Sequence, residues 1–190
     1  MECVDTGTIT ATAQTQAAHG PNGTTAVLKV SSADDHSKNS HLCNAEYELV
    51  ITPAAGGAPA VVDFLTSNGD WGRILSLRLE GFSYDGGRVF GIFSERGKYS
   101  YTTLFYYDTA GGPVQLVDLK ERFRRIVTPK CRASFAVVGT TADGGIVLEL
   151  PSAEGCTASG RWLLNSNGKV QRLGQGVSVL PLYESKVDAR

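Results

Sequence analysis

The fold of this 190-residue chain can be inferred from one stretch, Asp85-Gly86-Gly87-Arg88-Val89-Phe90-Gly91-Ile92-Phe93. It begins with Asp-Gly, which supplies the positive φ that a tight hairpin turn requires, and it continues into residues typical of a half-buried strand. In the preceding stretch Arg73–Glu80, Leu75, Leu77 and Leu79 alternate with polar residues. This period of two residues indicates β-strands on both sides of the turn.

Similar turns recur along the chain at intervals of about 55 to 63 residues. Each interval has a strand before its first turn, then two hairpin strands, then a fourth strand. We therefore predict an all-β fold of three repeated four-stranded antiparallel meanders in a single domain, residues 1–190, with repeats at about 4–66, 71–120 and 131–183. The first and second turns of the three repeats contain the glycines Gly23 and Gly57, Gly86 and Gly112, and Gly144 and Gly168.

Particular elements follow from the same patterns. Strands are predicted at Thr8–Ala13, Thr25–Ser31 and Glu46–Thr52 in the first repeat, with a long polar loop at Ser31–Asn44. The last strand of the chain is predicted at Val177–Leu182.

Only one segment has helical spacing. Leu119, Phe123 and Ile126 share a face at i, i+4 and i+7, which predicts one or two helical turns that end before Pro129.

The second repeat resembles a blade of TolB-like and related WD40-like β-propellers. Blades of that family read F-S-P-D-G-K, then a strand, then I-Y-hydrophobic-D and G-G-x-x-x-x-L, and here Tyr84 replaces the Pro and Gly87 the Lys. The resemblance implies propeller-like packing and no catalytic residue, and similar families serve mostly as binding platforms. The residues that carry it are Phe82-Ser83-Tyr84-Asp85-Gly86-Gly87-Arg88-Val89-Phe90, Leu104-Phe105-Tyr106-Tyr107-Asp108 and Gly111-Gly112-Pro113-Val114-Gln115-Leu116.

Three repeats are fewer than the four to eight blades of a usual propeller. Three arrangements stay open at this point. The repeats form an open or atypical three-unit array, or two chains complete one six-bladed ring as a homodimer, or the meanders stack in the manner of a β-sandwich.

The four cysteines predict two disulfides. Cys3 and Cys131 precede the first strands of the first and third repeats, and Cys43 and Cys156 lie before the third strands of the same repeats. In a meander the start of the first strand lies beside the end of the second strand, where the loop before the third strand begins. The two cysteines of each repeat therefore come within disulfide reach, and we predict Cys3–Cys43 and Cys131–Cys156. No C-x-x-C spacing favours zinc. Disulfides imply an extracellular or periplasmic location, and because Met1-Glu2-Cys3 starts no apolar signal segment, we expect that a signal peptide has been removed.

One candidate ligand-binding group lies in the polar loop Ser31–Asn44. Asp34, Asp35 and His36 have residue types that would suit a divalent metal, but Lys38 lies among them and no established ligand spacing is present. We therefore predict a solvated loop and no metal site.

The second candidate group is aromatic, Tyr99, Tyr101 and Tyr106, whose rings would stack on a sugar or a peptide. Together with Phe105 and Tyr107 they alternate along a strand, so half of the set is expected to serve the core.

The third candidate is a basic segment that would attract an anionic partner. Because the whole chain has a net charge of −1, we predict that it is a solvated connector face. Its residues are Lys120, Arg122, Arg124, Arg125, Lys130 and Arg132.

These observations limit the function. A pI of about 6.3 gives no electrostatic footprint for nucleic acid, and no apolar run reaches the length of a membrane span. We predict a secreted or periplasmic module that binds protein or carbohydrate through inter-strand loops, without catalysis or a cofactor. The alternatives are a hydrolase that uses clustered carboxylates and an assembly subunit that pairs through exposed sheet edges.

Overall fold

The computed structural model describes residues 14–35, 42–67, 74–96, 101–128, 131, 135–184 and 186–187. Within these ranges the chain forms fourteen strands and one short helix. The strands make three antiparallel sheets, so the prediction of an all-β fold is confirmed. Among the described residues, no helix has the length and apolar character needed to cross a membrane.

Each sheet contains four strands that follow one another in sequence. The first sheet has β1 Gln14–His19, β2 Thr25–Asp35, β3 Leu42–Thr52 and β4 Ala60–Ser67. The second sheet has β5 Ile74–Phe82, β6 Arg88–Arg96, β7 Tyr101–Asp108 and β8 Gln115–Asp118. Helix α1 is Leu119–Arg122. The third sheet has β9 Ala136–Thr140, β10 Ile146–Leu150, β11 Gly160–Leu164 and β12 Val170–Arg172. The C-terminal tail adds β13 Tyr183–Glu184 and β14 Lys186–Val187.

The first hairpin turns of the second and third sheets have the same hydrogen bonds. The Ser83 hydroxyl donates to the Asp85 carboxylate at 2.6 Å, and Thr141 donates to Asp143 in the same way. These bonds lower the pKa of both carboxyls. Gly86 has a φ of 71°, which the sequence Asp-Gly anticipated.

The first sheet differs from the prediction in its long hairpin. β2 and β3 extend through the predicted polar loop Ser31–Asn44, and their pairing continues to Asp35 opposite Leu42. The ladder satisfies the backbone polar groups, so polar side chains do not end the strands there. The strand that pairs with β2 is β1, whereas the predicted strand Thr8–Ala13 lies outside the described residues.

The predicted helical turns are confirmed. The Asp118 carboxylate accepts from the backbone N–H of Glu121 at 3.0 Å and so caps α1 at its start. Leu119 and Phe123 are buried, while Ile126 is partly buried.

The second sheet lies between the other two, with a core cluster on each face. On β7, Phe105 and Tyr107 contribute to one cluster, and Leu104 contributes to the other. The cluster between the first and second sheets contains Ala18, Ala26, Leu28, Leu49, Ile51, Leu79, Phe82, Val89, Phe105 and Tyr107. The cluster between the second and third sheets contains Phe90, Ile92, Leu104, Leu119, Phe123, Cys131, Phe135, Val137, Ile146, Leu148, Leu150, Ala158, Trp162 and Leu164.

The C-terminal tail touches the first strand of every sheet. Leu180 pairs with Thr140 of β9 through an isolated bridge, Tyr183 pairs with Phe82 of β5, and Lys186 pairs with Ala17 of β1. These contacts come three residues apart in the tail, so one short segment ties the three sheets together. The prediction of a strand at Val177–Leu182 was wrong. This segment forms only an isolated bridge, at Leu180, because the tail makes separate short contacts with three strands that are distant in sequence.

The predicted disulfide Cys131–Cys156 is present and links the segment before β9 to the β10–β11 connection, across a sequence separation of 25 residues. The other predicted disulfide, Cys3–Cys43, cannot be placed because Cys3 lies outside the described residues.

The crossing of the tail over β9 depends on Gly139. A Cβ at this position would lie 2.5 Å from the carbonyl oxygen of Leu180 and 2.6 Å from Val179. We expect Gly139→Ala to lower the free energy of unfolding by about 1–3 kcal/mol, because the backbone of the tail must move away. Urea denaturation measures this loss, and limited proteolysis of the tail reports its release.

Gly57→Ala is the matched control for that change. Its Cβ would lie 3.6 Å from Pro53, an ordinary contact distance, so the stability should change by less than about 0.5 kcal/mol. Equal losses in the two variants would contradict the role assigned to the tail crossing.

Candidate functional site

A cavity of about 370 Å³ opens between the second and third sheets, and we call it the groove. Strands β6, β7 and β8 form one wall, and β10 with the β11–β12 turn forms the other. The lining residues are Arg88, Tyr106, Gln115, Leu116, Val117, Arg122, Gly144, Ile146, Leu164, Asn165, Ser166, Asn167 and Gly168.

Arg88 joins the two walls of the groove. Its Nε donates to the Asp108 carboxylate at 2.8 Å, and its Nη1 donates to the carbonyl oxygen of Gly144 in the third sheet at 3.1 Å. The guanidinium carbon lies 5.5 Å from the centre of the Tyr106 ring, a cation–π distance. These three partners fix Arg88 in one position, and its side chain helps to position Tyr106.

The opposite wall is the tight turn Asn165–Gly168. The Gly168 N–H donates to the Asn165 carbonyl at 2.8 Å, and the Asn167 side-chain oxygen accepts from the N–H of Lys169 at 3.0 Å. The turn is therefore held by its own hydrogen bonds, and it presents Ser166 at an exposed position.

A second cavity of about 420 Å³ adjoins the groove, and we call it the basic pocket. Arg122 and Gly168 line both cavities, so the two lie side by side. The other lining residues of the basic pocket are Glu121, Arg124, Arg125, Ile126, Lys169 and Val170.

Buried aromatic rings hold Arg122 at the junction of the two cavities. The neighbouring Phe123 packs between Phe135, at 4.6 Å between ring centres, and Trp162, at 5.7 Å. This contact anchors α1 to the third sheet. The Arg122 guanidinium then lies against Gly168, where a Cβ would be only 3.2 Å from both Nη atoms.

The charge of the basic pocket is only partly balanced. Arg124 pairs with Glu121 at 3.4 Å. Within the described part of the chain, Arg122, Arg125 and Lys169 have no carboxylate within ion-pair distance. A chain with a net charge of −1 thus concentrates positive charge in one place.

The structure places the predicted ligand residues at separate positions. Tyr106 lines the groove, and Tyr101 begins β7. Asp34 and Asp35 lie at the end of β2, where their backbones pair with β3. The predicted ligand residues Tyr99 and His36 lie outside the described residues. Among those described, no cluster of three or more His, Cys, Asp or Glu side chains could hold a metal ion.

The groove also contains residues that the sequence did not single out. Ser166 and Asn167 are polar residues of a turn with no motif of their own, and Gln115 belongs to the blade motif but was not a candidate for binding. The turn glycine Gly168 was the only available signal. The basic segment was interpreted as a solvated connector, whereas Arg122, Arg124 and Arg125 line the basic pocket.

The hydrolase hypothesis can be examined at Glu80, whose carboxyl has a raised pKa. Burial raises its pKa. The Arg78 guanidinium, 2.5 Å from the Glu80 carboxylate, and the backbone N–H of Val137, which donates to that carboxylate, act in the opposite direction. Glu80 lines neither the groove nor the basic pocket. It lies at a register shift of β5 and bonds to the first strand of the third sheet. Its contacts therefore indicate a structural role in joining the second and third sheets.

The raised pKa of Glu80 predicts a pH dependence of stability. A raised carboxyl pKa means that its stabilising contribution is complete below the unfolded value of 4.5 and is lost as pH rises through the folded pKa. Since Gln is neutral throughout, the stability of Glu80→Gln relative to the wild type should increase between pH 4 and pH 7. Urea denaturation at both pH values measures it.

Glu149→Gln is the matched control. Glu149 also pairs with an arginine, Arg161, but its side chain is 43% exposed. Water solvates this carboxylate, so the relative gain at pH 7 should be smaller. An equal or larger gain in Glu149→Gln would contradict the burial of Glu80 as the cause.

No family model, curated protein or solved structure matches this chain. The resemblance of the second repeat to a propeller blade therefore stays a prediction that rests on its own motif residues. The functional argument rests on the groove and the basic pocket.

Proposed function

We propose that this chain is a secreted or periplasmic binding module, and that the groove between the second and third sheets holds an oligosaccharide. One observation carries the proposal: side-chain amides, a hydroxyl and a tyrosine line a single cavity on a rigid β scaffold. The cavity volume of about 370 Å³ lies within the range of small-ligand sites.

The lining groups suit the chemistry of sugars. Gln115, Asn165 and Asn167 contribute amides, which both donate and accept hydrogen bonds, as sugar hydroxyls do. Leu116 lies beside them and is 61% exposed, so it offers an apolar contact for the CH face of a sugar ring. Mixed polar and apolar contacts of this kind support carbohydrate over a purely apolar ligand.

One further feature favours binding over hydrolysis, and another concerns the compartment. Glu121 is the one carboxylate among the lining residues of the two cavities, and it is paired with Arg124, whereas glycoside hydrolysis by clustered carboxylates uses two. The disulfide Cys131–Cys156 is compatible with secretion or a periplasmic location.

Filling the groove tests the proposal. Ser166 is exposed at the tip of the β11–β12 turn, so Ser166→Trp places an indole in the groove without disturbing the core. We expect at least one member of an oligosaccharide array to bind the wild type, and the variant to lose affinity by about tenfold or more, on the order of 1.4 kcal/mol. Isothermal titration calorimetry of that oligosaccharide measures the loss.

Ala54→Trp is the matched control. Ala54 is the exposed second residue of the corresponding turn in the first sheet, where Gly56 donates to Pro53 as Gly168 does to Asn165. It should bind as the wild type does. Equal binding by Ser166→Trp, or capture of peptides from a display library with no oligosaccharide bound, would contradict the proposal.

A further inference from the structure

We infer that Arg122, with Arg125 and Lys169 beside it, binds an oxyanion group of the ligand, so that the oligosaccharide is acidic and bears carboxylates or sulfate esters. The inference rests on the proposed function, because it assigns a charge to the ligand of the same groove. The amides and the hydroxyl of the groove alone do not distinguish a neutral oligosaccharide from an acidic one.

Arg122 differs from the arginines that bind other parts of the structure. Arg78 donates to Glu80 and Phe135, Arg88 to Asp108 and Gly144, and Arg172 to Thr157 and Ser159. Arg161 donates to Glu149. Within the described ranges, Arg122 and Arg125 have no hydrogen-bond acceptor. Each guanidinium thus keeps its five N–H donors available.

The position of Arg122 is nevertheless defined. The buried Phe123 anchors its backbone, and Gly168 leaves room for its guanidinium at the seam between the groove and the basic pocket. The absence of a Cβ at Gly168 allows this close approach, because a Cβ would lie 3.2 Å from both Nη atoms of Arg122. A cation therefore lies where the groove and the basic pocket adjoin, and a group of the bound ligand would meet it there.

Arg125 and Lys169 add two more charges to the same pocket. Both line it with Arg122, and among the described residues none of the three has a carboxylate partner. An anion that binds between them would relieve their mutual repulsion as well as satisfy their donors. A planar guanidinium matches a carboxylate or a sulfate through two parallel hydrogen bonds.

The adjoining groove distinguishes an acidic glycan from other anions. The Asn165–Asn167 turn and Gln115 offer hydrogen bonds to hydroxyl groups directly beside the cations. A polyhydroxylated chain that bears an acidic group would use both sites together. A lipid headgroup or a lone anion would use the basic pocket alone.

Matched tetrasaccharides test the inference. Mannan, mannuronan and sulfated mannan can be prepared on the same β-linked backbone, so this set compares neutral, carboxylate and sulfate forms of one chain. In calorimetry of the wild-type chain, we expect an acidic member to bind about tenfold or more tightly than its neutral counterpart. The affinity should fall as NaCl is raised, because salt screens the attraction.

Arg122→Gln removes the charge at an exposed position. It should weaken binding of the acidic tetrasaccharide by about tenfold or more, and weaken binding of the neutral counterpart by a smaller factor, because Arg122 also lines the groove. Arg122→Lys keeps the charge but loses the planar fork, and should fall between these two. Arg161→Gln is the control, because Arg161 is also exposed but lies on β11, outside both cavities; it should bind as the wild type does.

The outcomes separate the two proposals. If neutral and acidic forms bind equally well, or Arg122→Gln leaves the preference intact, the charge assignment is overturned while the binding module stands. If no tetrasaccharide binds, both are overturned. Vesicles of phosphatidylglycerol and phosphatidylcholine form the last arm: Arg122-dependent pelleting without a glycan preference assigns the cations to a lipid headgroup and overturns the acidic glycan.

Discussion

The second sheet is buried on both faces, and the positions of the other two sheets follow from this requirement. Along β7, Phe105 and Tyr107 face one core cluster while Leu104 faces the other. Gly91 on the neighbouring strand lets the Phe105 ring approach, since a Cβ there would lie 2.1 Å from it. A four-stranded meander that is apolar on both faces needs a partner on each side. The first and third sheets supply those partners.

The groove arises at the margin of one of these contacts. The cluster between the second and third sheets ends near Tyr106, where Arg88 spans the gap and donates to Gly144. Beyond this point a space opens between β8 and the Asn165–Gly168 turn, and polar side chains line it together with Leu116 and Val117. The groove therefore lies where the hydrophobic contact stops, and Arg88 bridges the two sheets there.

Short-range interactions account for what could be predicted from the sequence. The Ser83–Asp85–Gly86 turn and the Asp118 cap of α1 each involve residues within a few positions of one another. The tail is different, because Leu180 and Tyr183 pair with Thr140 and Phe82, far away in the chain. Nothing local in the tail specifies those partners. Repetition of the meander could be inferred, but the segment that joins the repeats could not.

The same limit applies to the basic segment, because the sequence does not show which residues fold against it. From the sequence alone, the cations around Arg122 require only solvent, and exposed charges of this kind cost little stability. Whether carboxylates neutralise these positive charges depends on which residues fold against them. The third sheet brings Gly168 and a further cation, Lys169, to that face. Among the residues that line the pocket the one carboxylate is Glu121, and it is already paired with Arg124. The excess positive charge is thus a property of the packed sheets. Water tolerates it in the free protein, and a bound anion would be stabilised by it.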